Sequence, residues 1–496
     1  MTVQLTAASG ILPAAEQAIT AIGNFVFAEI NLLGTPIAWI VIWLAIPMVF
    51  FTLYLGFINL RGFTQGVRTV RGRFADPEAN GEMSQFQALS TALSGTVGLG
   101  NIAGVAVALA MGGPGAIFWM FVIGWLAMTL KFAEVTLGMK YREEQADGTV
   151  LGGPMYTLKN GLAARGYPTA GKWMGTIYAF FAMFAALPMF QVNQSFAQAG
   201  NAFGFGDGTS EALIYGCVVA FFTALVIFGG ARWLGRVTSA IVPTMGAIYL
   251  GGILIILAMG FDQIPAALGA IVSDAFTGEA AAGGAIGAFI VGMRRAVFST
   301  EAGTGSSVMA HVHARTKEPV SEGLVALLEP FIDTVVICSL GGLALVVAGT
   351  WADPALEDIA ITSQAFANVA PFMPIVLATA VVLFAFSTVC AWGFYGSQAW
   401  GYLFGNSRQS ILTYKLAFVL LLPAGAIFPL DIVISFVDSA FFLMAVPNII
   451  ALYIFAPELK ALLADYWARK IVGSEVAPEA GGHVGEPLVR EGGTEK

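Results

Sequence analysis

Long apolar stretches alternate with short polar connections along most of the chain, the pattern of a protein that crosses a membrane many times. Each stretch approaches or exceeds the roughly 20 residues that a helix needs to cross about 30 Å of hydrocarbon. Because these runs lack the strict alternation of a membrane β-barrel, we predict helices. The eleven predicted spans are residues 34–58, 86–111, 114–139, 174–199, 212–230, 237–260, 286–312, 321–349, 371–398, 411–428 and 431–455.

The composition supports an all-α polytopic membrane protein. Apolar residues make up 57% of the 496 residues and charged residues only 11%, against roughly 45–50% and 25% in a soluble domain. A mean hydropathy of +0.79 over this length excludes a soluble fold, which needs a polar exterior. The net charge of −8 offers no basic surface for nucleic acid. We therefore expect the lipid bilayer, and no nucleic acid, as a partner.

Basic residues in alternate loops predict the orientation. All but three of the 23 lysines and arginines fall in every second connection, and the exceptions lie within or beside spans: Lys131, Arg294 and Arg295. Since cytoplasmic loops carry the excess of basic residues, the N-terminus is expected outside and the C-terminus in the cytoplasm. A chain with no basic leader before Arg61 is expected to insert through its own spans, in a bacterial inner membrane.

Four glycines and two polar residues interrupt the second span at mid-membrane depth. They are Gly95, Thr96, Gly98, Gly100, Asn101 and Gly104. Such spacing fits close helix packing and equally fits an unwound segment whose freed backbone groups face a ligand. Asn101 favours the unwound segment, because an amide at this depth needs a polar partner.

The seventh span carries a second interruption around Glu301, Gly303 and Gly305. A carboxylate facing lipid would cost several kcal/mol, so Glu301 is expected to face the bundle interior. Arg294 or Arg295, one or two turns away, could neutralise it. We interpret these three residues as structural or gating charges.

Two histidines follow at the predicted cytoplasmic end of the same span. On a helix His311 and His313 would point about 200° apart, too far to share a metal ion. Their neighbours Arg315 and Lys317 favour a surface or loop role.

The two interruptions lie five spans apart, so spans 2–6 and 7–11 form two halves of odd length that insert in opposite orientations. Broken helices at matching positions of two such halves are typical of an inverted repeat. The predicted organisation is an external or interfacial segment, an extra helix, two five-helix repeats and a cytoplasmic tail that is largely disordered. The corresponding residues are 1–33, 34–58, 86–260, 286–455 and 456–496.

Several longer motifs resemble one known family, the alanine or glycine:cation symporters, from about residue 20 to residue 460. The motifs are Gly98-Leu-Gly-Asn101-Ile-Ala-Gly104, Gly152-Gly-Pro-Met-Tyr156, Phe298-Ser-Thr-Glu-Ala-Gly303 and Phe331-Ile-Asp-Thr334. The resemblance implies the fold of bacterial leucine and neurotransmitter:sodium symporters, with one extra helix ahead of a five-plus-five inverted repeat. It also implies uptake of small neutral amino acids, alanine or glycine, with co-transported sodium, by a non-enzyme that works as a monomer.

A zwitterionic substrate needs donors for its carboxylate and acceptors for its ammonium. The N–H groups of Leu99 and Gly100, with Asn101 nearby, lie at the start of a half-helix that favours an anion, and carbonyls near Phe298 and Ser299 would accept from the ammonium. The resemblance adds further pocket residues. The full predicted pocket is Leu99, Gly100, Asn101, Gln191, Phe298, Ser299, Thr300, Gly303, Thr388 and Trp392.

Sodium requires oxygen ligands, and the resemblance places them on the second and eighth spans. The predicted set is Ser94, Val97, Asn101, Val335, Cys338 and Ser339. Leu99, Thr300 and Gly341 depart from the family pattern. These departures leave the preference between alanine and glycine open.

Three other functions compete with sodium symport. A proton-coupled carrier of the same fold would use Glu301, Glu134 or Asp333 as the carrier group. A channel is disfavoured because the chain has no repeated filter segment, and an intramembrane enzyme because it has no nucleophile and base at matching depth.

Overall fold

The computed structural model describes residues 11–32, 35–73, 79–187, 189–206, 208–277, 284–427 and 431–472. Most of them are helical, as predicted, and two short antiparallel hairpins complete the regular structure. The hairpins pair β1 (Glu29–Leu32) with β2 (Thr35–Ala38) and β3 (Glu143–Glu144) with β4 (Val150–Leu151). The predicted disorder beyond residue 472 lies outside the described residues.

The α-helices are numbered in chain order. They are α1 (Ile11–Val26), α2 (Trp39–Tyr54), α3 (Ile58–Arg61), α4 (Phe63–Val70), α5 (Gln85–Thr96), α6 (Leu99–Gly112), α7 (Gly115–Lys140), α8 (Pro154–Ala163), α9 (Pro168–Ala185), α10 (Met189–Phe203), α11 (Thr209–Ile227), α12 (Gly230–Met259), α13 (Ile264–Thr277), α14 (Gly284–Thr300), α15 (Val308–His311), α16 (Pro319–Ala326), α17 (Leu328–Pro330), α18 (Ser339–Ala348), α19 (Ile359–Ala367), α20 (Met373–Phe404), α21 (Arg408–Ile427) and α22 (Asp431–Tyr466). Short 3₁₀ turns cover Phe261–Gln263 and Thr350–Ala352, and π-helical segments cover Phe331–Cys338 and Trp467–Val472.

Eight helical segments of the described chain are long and apolar enough to cross a membrane, and the bent pair α5 and α6 makes a ninth. Two of the eleven predicted spans correspond to shorter helices. Helix α2 has 16 residues, and α14 has 17 before the chain leaves the helix at Glu301. The count of eleven therefore stays a prediction.

The first predicted interruption is present between α5 and α6, whose axes differ by 46°. Gly98 is extended and precedes the first turn of α6. Its N–H donates to Asn101 Oδ1 over 2.9 Å, so the amide that the sequence singled out caps the new helix.

The second interruption follows α14. Residues 301–307 are not helical, and the chain resumes a single helical turn in α15. Gly303 (φ +97°) and Gly305 (φ +76°) hold left-handed conformations, and Glu301 shares that region with a φ of +50°. A residue with a Cβ pays about 1–2 kcal/mol to adopt it, so the strain falls on Glu301, where the helix ends, and Gly303 and Gly305 continue the non-helical course without that cost.

The ends of the described chain differ from the predicted boundaries. Within the predicted N-terminal segment, α1 packs against α22. At the other end α22 continues to Tyr466, and the π-helical turn after it reaches Val472. The predicted tail from residue 456 is therefore helical over its first part.

Candidate functional site

The two helix interruptions face a common cavity of about 160 Å³. That volume is below the roughly 300–1,000 Å³ of pockets for drug-sized ligands. Eight of the ten predicted substrate-binding residues line it. They are Leu99, Gly100, Asn101, Gln191, Phe298, Ser299, Thr388 and Trp392.

Two helix ends supply opposite partial charges to this cavity. At the start of α6 the N–H groups of Leu99 and Gly100 donate no backbone hydrogen bond within the described chain, and Gly100 leaves open space where a side chain would lie. At the end of α14 the carbonyls of Phe298 and Ser299 accept none from the described residues. A helix N-terminus attracts an anion and a C-terminus a cation, so the cavity suits a ligand that carries both.

Aromatic side chains close the cavity. Trp392 on α20 is 6% exposed and packs edge-on against Tyr395, with ring centroids 5.5 Å apart. Phe298 makes a similar contact with Phe442 at 4.5 Å. A Cβ at Gly98 would lie 3.2 Å from Thr388 Oγ1, so the break and α20 approach closely. These packed walls leave little room for a long side chain.

Thr300 and Gly303 do not line the cavity. Thr300 is buried, and its hydroxyl accepts from the N–H of Ala302 over 3.4 Å. The carbonyl of Gly303 accepts from Asn448 Nδ2 over 2.9 Å. Both residues shape the break behind the cavity.

The cavity also contains residues that were not predicted to bind substrate, among them Glu301, Asp438 and Phe441. Asp438 lies in the apolar run of the last span, where an ionisable residue is itself a sign of function. That signal was available in the sequence. The aromatic wall from α22 was not, because an apolar residue in an apolar span carries no such mark.

The residues of the predicted sodium set lie in two different surroundings. Ser94 Oγ donates to the carbonyl of Ser387 on α20 over 2.7 Å, and Val97 follows the end of α5 beside the break. In contrast, Ser339 Oγ donates to the carbonyl of Thr334 over 3.1 Å, and Val335 lies within 4 Å of where a Cβ at Gly124 on α7 would be.

Asn101 and Cys338 belong to a polar cluster around Asp333, which is fully buried. Asn101 Nδ2 donates to Asp333 Oδ1, Ser299 Oγ donates to Asp333 Oδ2 over 3.0 Å, and Thr334 Oγ1 donates to it over 3.1 Å. Asn101 Nδ2 also reaches Cys338 Sγ at 3.5 Å. Asp333 forms no ion pair with the residues described, so its carboxylate is held by neutral groups alone.

The π-helical segment Phe331–Cys338 carries this cluster. Such segments are frequent at functional sites because they displace side chains from the regular helical positions. The cluster joins this segment to both interruptions, through Asn101 on α6 and Ser299 on α14.

The predicted neutralisation of Glu301 by Arg294 or Arg295 is wrong in the structure. Glu301 Oε2 instead accepts from Ser306 Oγ over 2.5 Å, and the cation that acts on it is Lys131. Arg294 and Arg295 instead lie within electrostatic range of Asp438, a residue of the cavity wall. Glu301 and the arginines therefore belong to different charge groups.

The surface role expected for the histidines is also wrong for His311, which is fully buried. Its ring nitrogens lie 2.6 Å from Glu322 Oε1 and 2.6 Å from Glu329 Oε1. Lys131 Nζ lies 3.3 Å from the other oxygen of Glu329 and donates to Ser307 Oγ over 2.8 Å. The sequence did not reveal this burial, because the acidic partners of His311 lie on helices later in the chain.

His313 is also buried, at 4% exposure, but it lies in a turn and forms a second pair. Its Nδ1 lies 2.7 Å from Glu82 Oε2. For the Glu82 carboxyl, burial raises the pKa, but the hydrogen bond and charge of His313, together with the Val150 backbone and Arg232, hold the pKa below its usual value. This pair ties the residues before α5 to those after α15.

Comparisons with known proteins give relatives that are described as sodium-dependent amino-acid symporters. The model of the sodium:alanine symporter family matches residues 20–479. The sodium/alanine symporter AgcS of Methanococcus maripaludis is 40% identical over 411 residues, covering 82% of this chain and 88% of that protein. The probable sodium/glutamine symporter GlnT of Bacillus subtilis is 31% identical over 435 residues, covering 86% and 87%.

One solved structure is similar in fold. It is the crystal structure of MhsT in complex with L-phenylalanine, with a TM-score of 0.50 at 15% sequence identity, covering 78% of this chain and 99% of that one. The likeness confirms the predicted fold class, that of the bacterial leucine and neurotransmitter:sodium symporters.

Proposed function

Because the chain belongs to the sodium:alanine symporter family, we propose that it takes up alanine or glycine by symport with sodium. Membership makes it a multi-pass membrane transporter that couples amino-acid transport to a cation, and not an enzyme. The observation that carries the narrower proposal is the small cavity between two opposed helix ends.

The substrate carboxylate binds the N–H groups of Leu99 and Gly100 at the start of α6, where the helix dipole favours a negative charge. The ammonium binds the carbonyls of Phe298 and Ser299 at the end of α14. Neither charge is then left unpaired in a low-dielectric interior, where it would be costly. Alternating access follows if the two half-helices open to one side at a time.

The cavity volume supports a small side chain. A volume of about 160 Å³ bounded by Phe298 and Trp392 accepts a methyl group or a hydrogen. One similar chain is named a probable sodium/glutamine symporter. Gln191 and Asp438 also line the cavity, and glutamine is therefore the competing substrate to measure.

The cation site is proposed around Asp333. A buried carboxylate without a basic partner is costly, and sodium beside it would supply the missing charge. Ser299 and Thr334 offer hydroxyl oxygens there, and Asn101, whose Nδ2 donates to Ser299 and Asp333, also lies at the substrate cavity. Asn101 and Ser299 thus touch both proposed sites, which gives coupling a physical basis.

A second location for sodium is the end of α5, where Ser94 Oγ donates to the Ser387 carbonyl on α20 and Val97 follows the last helical residue. This location uses part of the predicted set, whereas Val335, Cys338 and Ser339 lie toward the Asp333 cluster. With both locations filled, transport would carry two sodium ions.

A proton-coupled carrier remains the alternative, with Asp333, Glu301 or Glu134 as the group that takes up the proton. The same uncompensated burial of Asp333 favours it, since protonation also removes the charge. A sodium-coupled carrier requires sodium in the medium, whereas a proton-coupled carrier requires a proton gradient. A single uptake assay therefore distinguishes the two.

Substrate binding to the purified protein tests the pocket directly. Alanine binding is expected to be displaced by glycine but not by leucine, and Trp392→Ala is expected to weaken it at least tenfold. Trp400→Ala, at a tryptophan on the same helix outside the cavity, serves as control. Displacement by glutamine at concentrations where glycine fails would overturn the proposed substrate, although not the family assignment.

The surrounding membrane and the orientation complete the proposal. We place the protein in a bacterial inner membrane, with the N-terminus outside, the C-terminus in the cytoplasm and the single chain as the working unit. The distribution of basic residues among the loops supports this orientation.

A further inference from the structure

A second cavity, of about 500 Å³, lies on the protein surface between the end of α2 and the end of α22. It has about three times the volume of the substrate cavity and shares no lining residue with it. Apolar side chains form most of its wall. Two aromatic and two basic residues complete it: Tyr54, Arg61, Lys460 and Trp467.

The two basic groups face the cavity without an acidic partner. The Arg61 guanidinium carbon lies 5.2 Å from the centre of the Trp467 ring, and Nη1 donates to the carbonyl of Gly56 over 3.3 Å. Lys460 Nζ lies 4.6 Å from the centre of the Tyr54 ring. No aspartate or glutamate lines the cavity, and neither cation forms an ion pair with the described residues.

The nearby acidic groups are already paired elsewhere. Asp465 binds Arg469 over 2.8 Å, and Arg469 in turn binds Glu318 over 2.9 Å. Glu458 binds Lys140 and Arg165. Two positive charges therefore remain in this cavity for a ligand outside the chain.

The surroundings locate the cavity at the edge of the membrane. Leu53, Phe57 and Leu60 beside it are exposed apolar residues, as expected of a surface that faces lipid. Tryptophan and tyrosine are enriched where the hydrocarbon meets the headgroups. In the orientation that the loop charges predict, this edge is the cytoplasmic one.

We propose that this groove, defined by Tyr54, Arg61, Lys460 and Trp467, binds the phosphate of an anionic glycerophospholipid. The phosphate lies between Arg61 and Lys460, and an acyl chain lies along the apolar wall at Leu53. A basic pocket between helices at the cytoplasmic face suits such a headgroup, whereas a zwitterionic lipid carries its own cation and gains less. The bound lipid joins α2, which lies outside the two repeats, to the last helix of the second repeat.

Native mass spectrometry of the full-length protein tests the proposal. Delipidated protein is mixed with equal amounts of phosphatidylglycerol and phosphatidylcholine, and the retained lipid is counted for each variant. The wild type is expected to retain phosphatidylglycerol preferentially. The double variant Arg61→Gln, Lys460→Gln is expected to lose roughly ten- to thirtyfold of that preference.

Arg236→Gln is the matched control, because Arg236 also stacks on a tryptophan, Trp233, at 5.5 Å but lies outside the groove. Its lipid preference is expected to equal that of the wild type. The double variant Arg61→Lys, Lys460→Arg keeps both charges and is expected to retain the lipid. Its retention would show that substitution at these two positions does not by itself remove the lipid, so the loss in the neutral variant follows from the lost charges.

Three outcomes would overturn the proposal. They are equal losses in the neutral variant and in Arg236→Gln, displacement of the lipid by inorganic phosphate, and no preference for phosphatidylglycerol in the wild type. The last outcome would assign the groove to another occupant, such as the glutamate-containing residues 473–496.

Discussion

At the scale of single residues, a substitution at Asp333 tests whether this carboxylate binds sodium or has only a structural role. Asp333→Asn keeps the size of the side chain and removes its charge. If sodium binds there, the sodium concentration for half-maximal alanine uptake should rise at least tenfold, because the amide attracts the ion less strongly. The measurement is initial uptake against external sodium.

Asp262→Asn provides the control for this substitution, since Asp262 is exposed on a turn far along the chain from the cluster. Its sodium dependence should equal that of the wild type. An unchanged sodium requirement in Asp333→Asn would place the ion at the end of α5 instead.

Lys131 tests the buried ion pair at the same scale. Lys131→Met leaves Glu329 beside His311 with one cation fewer, and breaking a buried pair costs about 3–5 kcal/mol. The midpoint of thermal unfolding in detergent should fall clearly. Adding Glu329→Gln removes the uncompensated charge and should restore part of the loss, whereas additive losses in the double variant would deny any coupling between the two residues.

At the scale of elements, the interruption after α14 depends on a left-handed glycine. In Gly303→Ala the new Cβ would lie 2.5 Å from Leu44 Cδ2, and a φ of +97° is strained for alanine. We expect a lower thermal midpoint and loss of uptake. Gly246→Ala, at a helical glycine with open space around it, should retain both, and equal behaviour of the two variants would show that the break tolerates a side chain.

The sequence predicts elements better than it predicts contacts between them. Both interruptions could be located because glycines and polar residues at Gly98 and Gly303 disturb apolar runs. The contact between Asn101 and Asp333 could not, since the two residues are 232 positions apart and no spacing rule links them. The burial of His311 was missed for the same reason.

At the scale of the whole molecule, two matched interruptions meet at one cavity, and the charged groups surround it in separate clusters. Two of the four motifs that carry the family resemblance, those that begin at Gly98 and Phe298, lie at the interruptions themselves. The number of spans is harder to predict, since α2 and α14 are shorter than a full crossing and hydropathy alone does not show where a helix stops.

Uptake of labelled alanine into proteoliposomes under an inward sodium gradient, compared with matched potassium and proton gradients, is the decisive test of sodium coupling. Sodium alone should drive accumulation, and a membrane potential of 100 mV, negative inside, should add roughly 40-fold for each net charge carried. Accumulation driven equally well by a proton gradient without sodium would contradict sodium coupling and select the proton-coupled carrier.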